Sequence, residues 1–526
     1  MKKIFLVAIA SLLILAACNK EDFEDSYANP SKIATSSVEK QFTGFMVSNR
    51  EYVVPSYWNY FVVLRTTVNR YTQAVGWVNS TAQYVPGAGL ISNRWDNYYN
   101  FLAQYRELEK VYGDLSASDQ EDRRIFMIAS TIYLYDHTQK VVDLHGDIPF
   151  SKAGMLSFNG GDYEASLPEY DKAEDIYTTM LDDLKGFADE LNTIEVPAGI
   201  QTGFSTQDIV NNGDLESWRM YCNSLRLRML TRVSGTPAFQ SRAQSEIGSI
   251  LANASAYPIV TDNADNIQIE IHDLSTPVNA TGFRTGLEDW NGNLAGKAMI
   301  DHMVTTNDPR LRVMFEPGAN ASGTFAGLDP MLQGSDQQQL ADGGTISIYN
   351  RSTLSRNEYF PGVLINAGEV NLLIAEYYLK QGNDAFAKAA YNEAIEQSVK
   401  QYYGFRSLSN DNVSGVVTPV SDAEILAYQN DANISWDNAA SASEKLELIA
   451  TQKWIHLNVV QSIEGWAEQR RLNLPNLTFL PDDSNPQQLP PARWLYATSE
   501  STYNTANYSQ VRQSDNLMTP LFWDVN

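Results

Sequence analysis

The chain is poor in cysteine and in positive charge. Its 526 residues include only two cysteines, Cys18 and Cys222, and 38 lysines and arginines against 63 aspartates and glutamates. Two cysteines cannot build the multi-bridge disulfide framework of a small secreted domain. A surface this acidic repels phosphate backbones, so we do not expect nucleic-acid binding. The formal net charge of −25 suits neutral, cationic or metal-bridged ligands instead.

Familiar catalytic and cofactor motifs are also missing. The sequence has no GxGxxG or Walker A loop for phosphates, no HExxH zinc motif and no GxSxG nucleophile elbow. The histidines show no metal-ligand spacing; they are His137, His145, His272, His302 and His456. The Asp262–Asn266 run offers oxygen ligands for calcium but lacks the glycine and terminal glutamate of an EF-hand, so we interpret it as a solvated loop. We therefore predict no catalytic residue, no metal site and no cofactor.

A short apolar run opens the chain. Lys2 and Lys3 precede the apolar segment Ile4–Leu15, which is too short to span a bilayer and has the flanks of a signal peptide. The next residues, Leu15-Ala16-Ala17-Cys18, resemble the lipobox that is cleaved before a lipidated cysteine in bacterial lipoproteins. We predict a signal peptide at 1–17 and lipidation of Cys18. The alternative is an ordinary signal peptide with a chance cysteine.

An acidic, polar segment follows the predicted lipidation site. Residues 18–37 (CNKEDFEDSYANPSKIATSS) have the composition of a flexible tether. An acidic run directly behind a lipidated cysteine resembles the surface-export signal of Bacteroidota lipoproteins, and the alternative is a merely solvated linker. We expect outer-membrane attachment through the lipid, facing the cell exterior.

The segment Leu364–Tyr403 has the clearest helical pattern in the chain. Val370, Leu373, Ile374 and Tyr377 line one helix face, and a second stripe follows the break at Gly382. A glycine just past a helix end tolerates positive φ, and the next residues, Asn383 and Asp384, are suited to cap the second helix. The sequence therefore predicts a helical hairpin that cannot bury its apolar face alone.

This hairpin resembles a tetratricopeptide repeat. Five positions carry the small or aromatic residues of the roughly 34-residue pattern: Ala375, Tyr378, Ala387, Tyr391 and Ala394. The early tryptophan and late proline of that pattern are replaced by Asn371 and Val399, so the repeat is degenerate. An ordinary helical hairpin is the alternative.

Similar helical patterns recur along the chain. Helices are predicted at Ser118–Leu144, Tyr170–Leu191, Leu215–Val233, Phe239–Leu251, Ser443–Leu457 and Glu464–Arg471. Cys222 falls among apolar neighbours of one helix, which predicts a buried, inert thiol. Residues 255–360 are rich in turn formers, and only Leu294–Thr305 has a helical pattern there.

These patterns predict a mainly α fold, a tetratricopeptide-like superhelix of helical pairs with an inserted loop-rich lobe. A single body is expected over 38–526, with the scaffold at about 118–254, 361–403 and 443–472 and the lobe at about 255–360 and 404–442.

Seven stretches together resemble the SusD/RagB family of outer-membrane nutrient-binding lipoproteins. They occur in the family's order and span nearly all of the chain after the lipobox, and their spacing resembles the branch called SusD-like 2. The stretches are Asp143–Ala153, Ser217–Leu230, Asn307–Phe315, Glu369–Gly382, Gln452–Pro475, Pro491–Tyr508 and Thr519–Asp524. The resemblance implies four helical pairs, a SusC-like TonB-dependent transporter as partner, and an oligosaccharide or peptide ligand bound before import.

Charged and aromatic residues inside these motifs have a structural interpretation. We expect ion pairs or caps at Arg226 and Arg228, at Asp308 with Arg310, and at Glu468 with Arg470 and Arg471. Trp454, Trp466 and Trp523 are expected in the core. Functional sites on repeat scaffolds usually lie on inserted loops instead.

Two loops combine aromatic side chains with polar neighbours. The first contains Trp77, Asn79 and Tyr84, and the second, from Arg284 to Asn293, surrounds Trp290. The predicted ligand-binding residues are Trp77, Asn79, Tyr84, Arg284, Asp289, Trp290 and Asn291. Flat aromatic faces stack on sugar C–H groups and on peptide side chains alike, so the ligand is a glycan or a peptide.

The sequence thus predicts a cell-surface binding lipoprotein that captures a nutrient oligomer without bond chemistry and delivers it to the transporter. Two alternatives stay open. A surface glycoside hydrolase needs only a carboxylate pair, which 63 acidic residues do not exclude. A repeat scaffold that binds only proteins is the other.

Overall fold

The computed structural model describes residues 36–525, and about 55% of the chain is helical. The predicted mainly α fold is confirmed. The signal peptide, Cys18 and nearly all of the tether lie outside the described residues. Among the described residues, no helix is both long and apolar enough to cross a bilayer.

The first half of the described chain contributes nine α-helices. They are α1 (Val38–Ser48), α2 (Val68–Tyr71), α3 (Ala88–Gly113), α4 (Ala117–Asp122), α5 (Arg124–His145), α6 (Ala173–Leu191), α7 (Ala198–Gln207), α8 (Leu215–Val233) and α9 (Gln240–Ala252). A π-helix spans Trp58–Leu64, and short 3-10 turns span Arg50–Tyr52 and Glu164–Ser166.

The second half adds eleven helices and four short strands within the described residues. The helices are α10 (Phe283–Glu288), α11 (Lys297–Thr305), α12 (Leu311–Met314), α13 (Gly334–Asp342), α14 (Ala367–Lys380), α15 (Asp384–Leu408), α16 (Asp422–Gln429), α17 (Ala442–Leu457), α18 (Ser462–Leu472), α19 (Thr498–Tyr503) and α20 (Thr505–Val511). Strand β1 (Ile267–Ile269) pairs antiparallel with β4 (Gly362–Ile365), and β2 (Phe315–Glu316) pairs antiparallel with β3 (Ile348–Tyr349). Further 3-10 turns span Asn263–Asp265, Asp289–Asn291 and Trp436–Asn438.

The scaffold consists of helical pairs packed side by side. Helix α5 packs on α6, α8 on α9, α14 on α15, and α17 on α18. Neighbouring pairs contact each other because α8 also packs on α6 and α14, and α14 packs on α17. These four pairs agree with the number that the family resemblance implies.

The α14–α15 hairpin has the caps that its sequence predicts. Gly382 adopts a φ of +71° between the helices. The side chain of Asn383 caps α15 by accepting a hydrogen bond from the backbone N–H of Phe386. Tyr391 is fully buried, and its hydroxyl donates to the Ile434 carbonyl at 2.9 Å, so this ring fills the groove between neighbouring elements.

The loop-rich lobe at 255–360 contains the short helices α10–α13 and the strands β1–β3. These elements have two to nine residues, and only α11 coincides with a helical pattern in the sequence. The predicted helix at Ser118–Leu144 is divided, since the chain breaks at Arg123 before α5 begins. Two further short helices, α19 and α20, lie near the end of the described chain.

The expected core residues are buried. Cys222 is inaccessible, and burial raises the pKa of its thiol to about 12, so the group is an inert hydrophobe. Trp454, Trp466 and Trp523 are also buried, as predicted. Asp262 caps the 3-10 turn Asn263–Asp265 by accepting from the Ala264 N–H.

A network of buried charges joins the helical pairs. Its members, drawn from α5, α8, α14, α17 and α18, are Asp136, Asp143, Arg228, Arg232, Glu369, Glu376, Lys453, Glu464, Glu468 and Arg471. Within it, Arg228 lies 3.0 Å from Asp136, and Arg471 lies 2.6 Å from Glu376 and 2.7 Å from Glu468. Arg470 instead donates to the backbone carbonyls of Ala492 and Asp143.

The network holds the Glu376 carboxylate in the charged form. Burial alone would raise the pKa of Glu376, but the cations of Arg471, Lys380 and Lys453 outweigh it and hold that pKa well below its usual value. A carboxyl group whose pKa is lower in the folded state stabilises the fold above its unfolded pKa, near 4.3. That stabilisation disappears as the pH falls through the folded pKa.

Replacing the Glu376 carboxylate should destabilise the protein and make its free energy of unfolding depend less on pH in the acidic range. Glu376→Gln leaves buried cations underpaired and should lower the free energy of unfolding at pH 7 by about 3–5 kcal/mol. Between pH 5 and 3 the variant should lose less stability than the wild type does. Urea unfolding across this pH range measures both effects. Glu447→Gln, an exposed change on α17, is the control and should stay within about 0.5 kcal/mol. If the free energy of unfolding changes equally with pH in the wild type and in Glu376→Gln, the lowered pKa assigned to Glu376 is contradicted.

Candidate functional site

An aromatic stripe lies on the surface of the π-helix. The rings of Tyr57 and Phe61 stack with centroids 4.8 Å apart, and the Arg65 guanidinium lies 3.9 Å from the centroid of Phe61. Trp58 meets Tyr57 edge to face at 5.9 Å, and 47% of its surface is exposed. Large aromatics are normally buried, so an exposed group of three is a candidate contact surface.

The π-helix separates this stripe from the core. The hydrogen bonds of this helix join residues five apart, as in the bond that the Arg65 N–H donates to the Tyr60 carbonyl at 3.0 Å. Tyr60, Val63 and Leu64 face the core, and the Tyr60 hydroxyl donates to the Val459 carbonyl at 2.9 Å. The opposite side of the helix therefore presents its aromatic residues to solvent.

Trp290 is the most exposed tryptophan at this surface. It follows α10, and 84% of its surface is accessible. Its backbone is left-handed, with φ 56° and ψ 36°, and Asn291 follows with φ 58°. A bulky residue in this region is strained, by about 1–2 kcal/mol for the left-handed conformation. The exposed Trp290 side chain gains no packing that would offset this backbone strain. Strained residues of this kind are typical of functional positions.

Helix α10 packs directly on the π-helix and so places Trp290 beside the stripe. A Cβ on Gly286 would lie 2.9 Å from the Ser56 carbonyl oxygen, and one on Gly292 would lie 2.9 Å from Cδ of Arg65. Glycine is therefore required at both contacts. Arg65 Nη1 also donates to the Asp289 carbonyl at 3.4 Å. We call the surface formed by Tyr57, Trp58, Phe61, Arg65, Trp77 and Asp289–Asn291 the aromatic face.

Trp77 joins the same face from the other predicted loop. The Arg65 guanidinium lies 5.5 Å from its ring and that of Arg70 lies 5.1 Å away. The tryptophan is half-buried, and its Nε1 has no hydrogen-bond partner among the described residues. Burial lowers the pKa of Arg70 to about 10. The cavity beside Trp77 measures only about 20 Å³, which is too small to enclose a sugar ring.

Asn79 and Tyr84, also proposed from the sequence, hold the loop. Asn79 donates through Nδ2 to the carbonyls of Pro330 and Leu332 at 2.8 and 2.9 Å. Tyr84 is only 2% exposed, and its hydroxyl donates to the Leu480 carbonyl at 2.9 Å. Their side chains face neighbouring loops, and they position Trp77 from behind.

The remaining predicted residues lie around Trp290. Asp289 and Asn291 flank it on the 3-10 turn and are exposed. Arg284 belongs to α10 rather than to a loop, and its side chain is 62% exposed. The structure thus brings four of the seven predicted residues to the aromatic face, with Arg284 on the adjoining helix α10 and with Asn79 and Tyr84 holding the loop of Trp77.

The sequence did not lead us to predict the aromatic stripe on the π-helix as part of the site. Tyr57 and Trp58 were expected as part of a helical aromatic segment, and Phe61 and Arg65 were not singled out. The signal was present as Tyr57, Phe61 and Arg65 at intervals of four residues directly after Pro55. That interval places side chains on one helix face, but it does not tell which face is solvated.

A large cleft lies away from the aromatic residues. It has a volume of about 1090 Å³ between the segments 201–217 and 264–278. Its lining is mainly Asn, Asp, Ser, Thr and small apolar residues, and among the described residues no Trp, Tyr or Phe lines it. A sugar ring therefore has no stacking partner there, so we place the candidate site at the aromatic face.

The carboxylates near the aromatic face do not form a hydrolytic pair. Glu288 accepts hydrogen bonds from Arg356 at 2.8 Å and from Ser355 at 2.7 Å. Burial alone would raise the pKa of Glu288, but these partners outweigh it and lower that pKa below its usual value. A general acid for glycoside hydrolysis needs a raised pKa, so Glu288 is unsuited to the role.

Comparison with known proteins links the chain to one family. The model of the SusD-like 2 family, described as starch-binding and associating with the outer membrane, matches residues 36–497. No curated protein matches the chain.

Solved structures share the fold. A chitin-binding protein superposes with a TM-score of 0.73 at 21% identity, covering 92% of this chain and all of its own. A chitin-binding SusD homolog from Flavobacterium johnsoniae gives a TM-score of 0.70 at 22% identity, covering 92% of this chain and 99% of its own. A SusD homolog from Bacteroides thetaiotaomicron gives 0.68 at 20% identity, covering 94% and 100%. At these identities the likeness establishes the fold alone.

The strain at Trp290 should be measurable. Glycine adopts φ 56° without a Cβ clash, so Trp290→Gly should be about 1 kcal/mol more stable than Trp290→Ala in urea unfolding. At an exposed helical position the order should reverse, with alanine better by about 0.5–1 kcal/mol, and Gln339 on α13 provides that control. The same order at both positions would show that the left-handed backbone is not maintained in solution.

Proposed function

Because the chain belongs to the SusD-like 2 family of starch-binding proteins that associate with the outer membrane, we propose that it is a noncatalytic glycan receptor of that membrane. It captures an oligosaccharide on the aromatic face and delivers it to a SusC-like TonB-dependent transporter. The family membership supports the class of ligand and the membrane association. The remaining elements of the proposal are argued below.

The single observation that carries the proposal is the presentation of Trp290. The ring is 84% exposed on a left-handed backbone, beside Trp58 and the Tyr57–Phe61 stack. Stacking on such a ring contributes about 0.5–1.5 kcal/mol beyond the area it buries. Several rings at one surface bind successive units of an oligomer, while Asp289 and Asn291 supply hydrogen-bonding groups beside the platform.

A glycan fits this surface better than a peptide. The aromatic side chains offer flat surfaces for the C–H faces of sugar rings, and the neighbouring charged and amide groups can hydrogen-bond to the sugar hydroxyls. Two structural relatives are themselves described as chitin-binding. A peptide remains the second candidate, because hydrophobic side chains stack on the same rings.

The proposed anchor keeps the receptor close to the membrane. Lipidation at Cys18 would attach the chain to the bilayer, and the described body begins at Ser36. The 18 residues from Cys18 to Ser36 reach at most about 60 Å when fully extended. The aromatic face would therefore stay close to the membrane in which the proposed transporter lies, which raises the effective concentration of captured ligand there.

Removing the exposed rings should abolish capture without unfolding the protein. Trp290→Ala and Trp58→Ala should each weaken glycan binding several-fold or more, because each removes a stacking platform. Calorimetry and affinity electrophoresis against starch, chitin oligosaccharides and other glycans, with peptides in parallel, measure the effect.

Tyr503→Ala is the matched control, since that ring is 67% exposed on α19, away from the aromatic face. Normal glycan binding by both tryptophan variants would place the site elsewhere. New reducing ends after incubation with a glycan would instead support the hydrolase alternative.

The anchor has its own test. Cys18→Ala removes the predicted lipid attachment and should leave the protein soluble or unprocessed. Each buried methylene contributes about 0.8 kcal/mol, and stable anchoring needs more than one acyl chain. Fractionation of cells that express each form measures the change, with Cys222→Ala as the control. Retention of Cys18→Ala in the outer membrane would rule out this anchor.

A further inference from the structure

Several buried arginines of the scaffold are paired with carboxylates. Arg228 lies 3.0 Å from Asp136, and Arg310 lies 2.6 Å from Asp308. Burying a guanidinium is unfavourable unless an acceptor satisfies it, and these pairs meet that need. The arginines of the aromatic face are different.

Arg65 has no such partner. No carboxylate among residues 36–525 lies within 4.0 Å of its guanidinium. Its Nη1 reaches the Asp289 carbonyl at 3.4 Å, and its Nε has no partner among the described residues. The group is held in place by Phe61 on one side and by the packing of its stem against Gly292. It is therefore positioned before any ligand arrives.

Arg284 is also available. Its side chain is 62% exposed, and its one ion-pair contact is a distance of 4.0 Å to Glu288. That carboxylate is already bound by Arg356 at 2.8 and 2.9 Å. Arg284 therefore presents most of its donors to solvent at the start of α10, the helix that ends at Trp290.

The local charge is opposite to that of the whole chain. Acidic residues outnumber basic ones by 63 to 38 overall. Arg65 of the aromatic face and Arg284 of the adjoining helix α10 accompany one exposed carboxylate, Asp289, which lies beyond 4.0 Å from both guanidinium groups. The buried Arg70 adds a further positive charge behind Trp77. An acidic protein with a cationic aromatic face attracts a negatively charged ligand to that face.

We infer that the glycan captured here is anionic, carrying carboxylate or sulfate groups that Arg65 and Arg284 bind while the sugar rings stack on the tryptophans. This inference rests on the proposed function. The planar guanidinium presents two parallel N–H donors that match a carboxylate, and it stacks on aromatic rings at the same time. Arg65 on Phe61 already has the stacked half of this arrangement.

The test pairs each acidic glycan with its uncharged form. Oligogalacturonate and oligomannuronate are compared with their methyl esters, and dextran sulfate with dextran, alongside maltooligosaccharides and chitin oligosaccharides. By calorimetry, at least one acidic glycan should bind tenfold or more tightly than its uncharged form. Its affinity should fall as NaCl rises from 50 to 500 mM, because salt screens exposed charges. Binding of the uronate oligomers would indicate a carboxylate-bearing ligand, and binding of dextran sulfate would indicate a sulfated one.

Charge-removing variants complete the test. Arg284→Gln should weaken the acidic glycan at least tenfold and the uncharged form less than twofold, whereas Trp290→Ala should weaken both. Arg65→Gln should act like Arg284→Gln, with thermal unfolding reporting any loss of fold. Arg512→Gln makes the same charge change at another exposed position and should have no effect.

Two results would overturn the inference. If uncharged glycans bind as tightly as acidic ones and Arg284→Gln binds both normally, the ligand is neutral and the receptor function stands. If no glycan in the panel binds the wild type, the receptor function itself fails, and the inference fails with it.

Discussion

The buried charge network is the constraint on which the rest of the structure depends. Each helical pair contributes charged groups that neighbouring pairs help to neutralise, as when Arg228 of α8 meets Asp136 of α5 and Glu369 of α14. Unlike an apolar contact, such a pair tolerates little displacement, since a buried charge without its partner is strongly unfavourable. The network therefore fixes how the pairs stack, whereas the apolar core around it supplies most of the favourable free energy.

The aromatic face depends on this scaffold through a small number of hydrogen bonds. Trp454 of α17 donates through Nε1 to the Thr72 carbonyl at 2.7 Å, just before the loop that carries Trp77. Tyr60 of the π-helix reaches the turn between α17 and α18 at Val459. Both contacts connect the best-packed part of the molecule to the segments that present the rings. The backbone segments that present the aromatic face are thus joined to the scaffold by hydrogen bonds, although their rings are exposed.

Much of the scaffold is readable in the sequence because its signals are local. The apolar period, Gly382 and Asn383 define the α14–α15 hairpin within one stretch of chain. The short elements of 255–360, apart from α11, could not be located individually because segments of two to nine residues cannot display an apolar period. The same reasoning explains the division of the predicted helix at Arg123, where no proline or glycine marks the break.

The candidate site was only partly readable, because burial of a loop residue is decided by distant segments. Trp290 was identified from its turn-forming neighbours, and the structure leaves it exposed. Tyr84 has similar neighbours, yet it is buried because the chain near Leu480 covers it. The assembly of Trp77, Arg65 and Trp290 depends on contacts between segments some 200 residues apart, which no local pattern encodes.

The openness of the aromatic face determines how a polymer would engage it. The cavity beside Trp77 measures only about 20 Å³, and 84% of the surface of Trp290 is exposed. Neither feature encloses the end of a polymer chain. Interior stretches of a long polymer could then dock sideways, without threading of a chain end. Each contact would be brief, because an unenclosed ligand dissociates readily. Residence on the protein would grow with the number of equivalent stretches that can rebind, which favours long chains over their fragments.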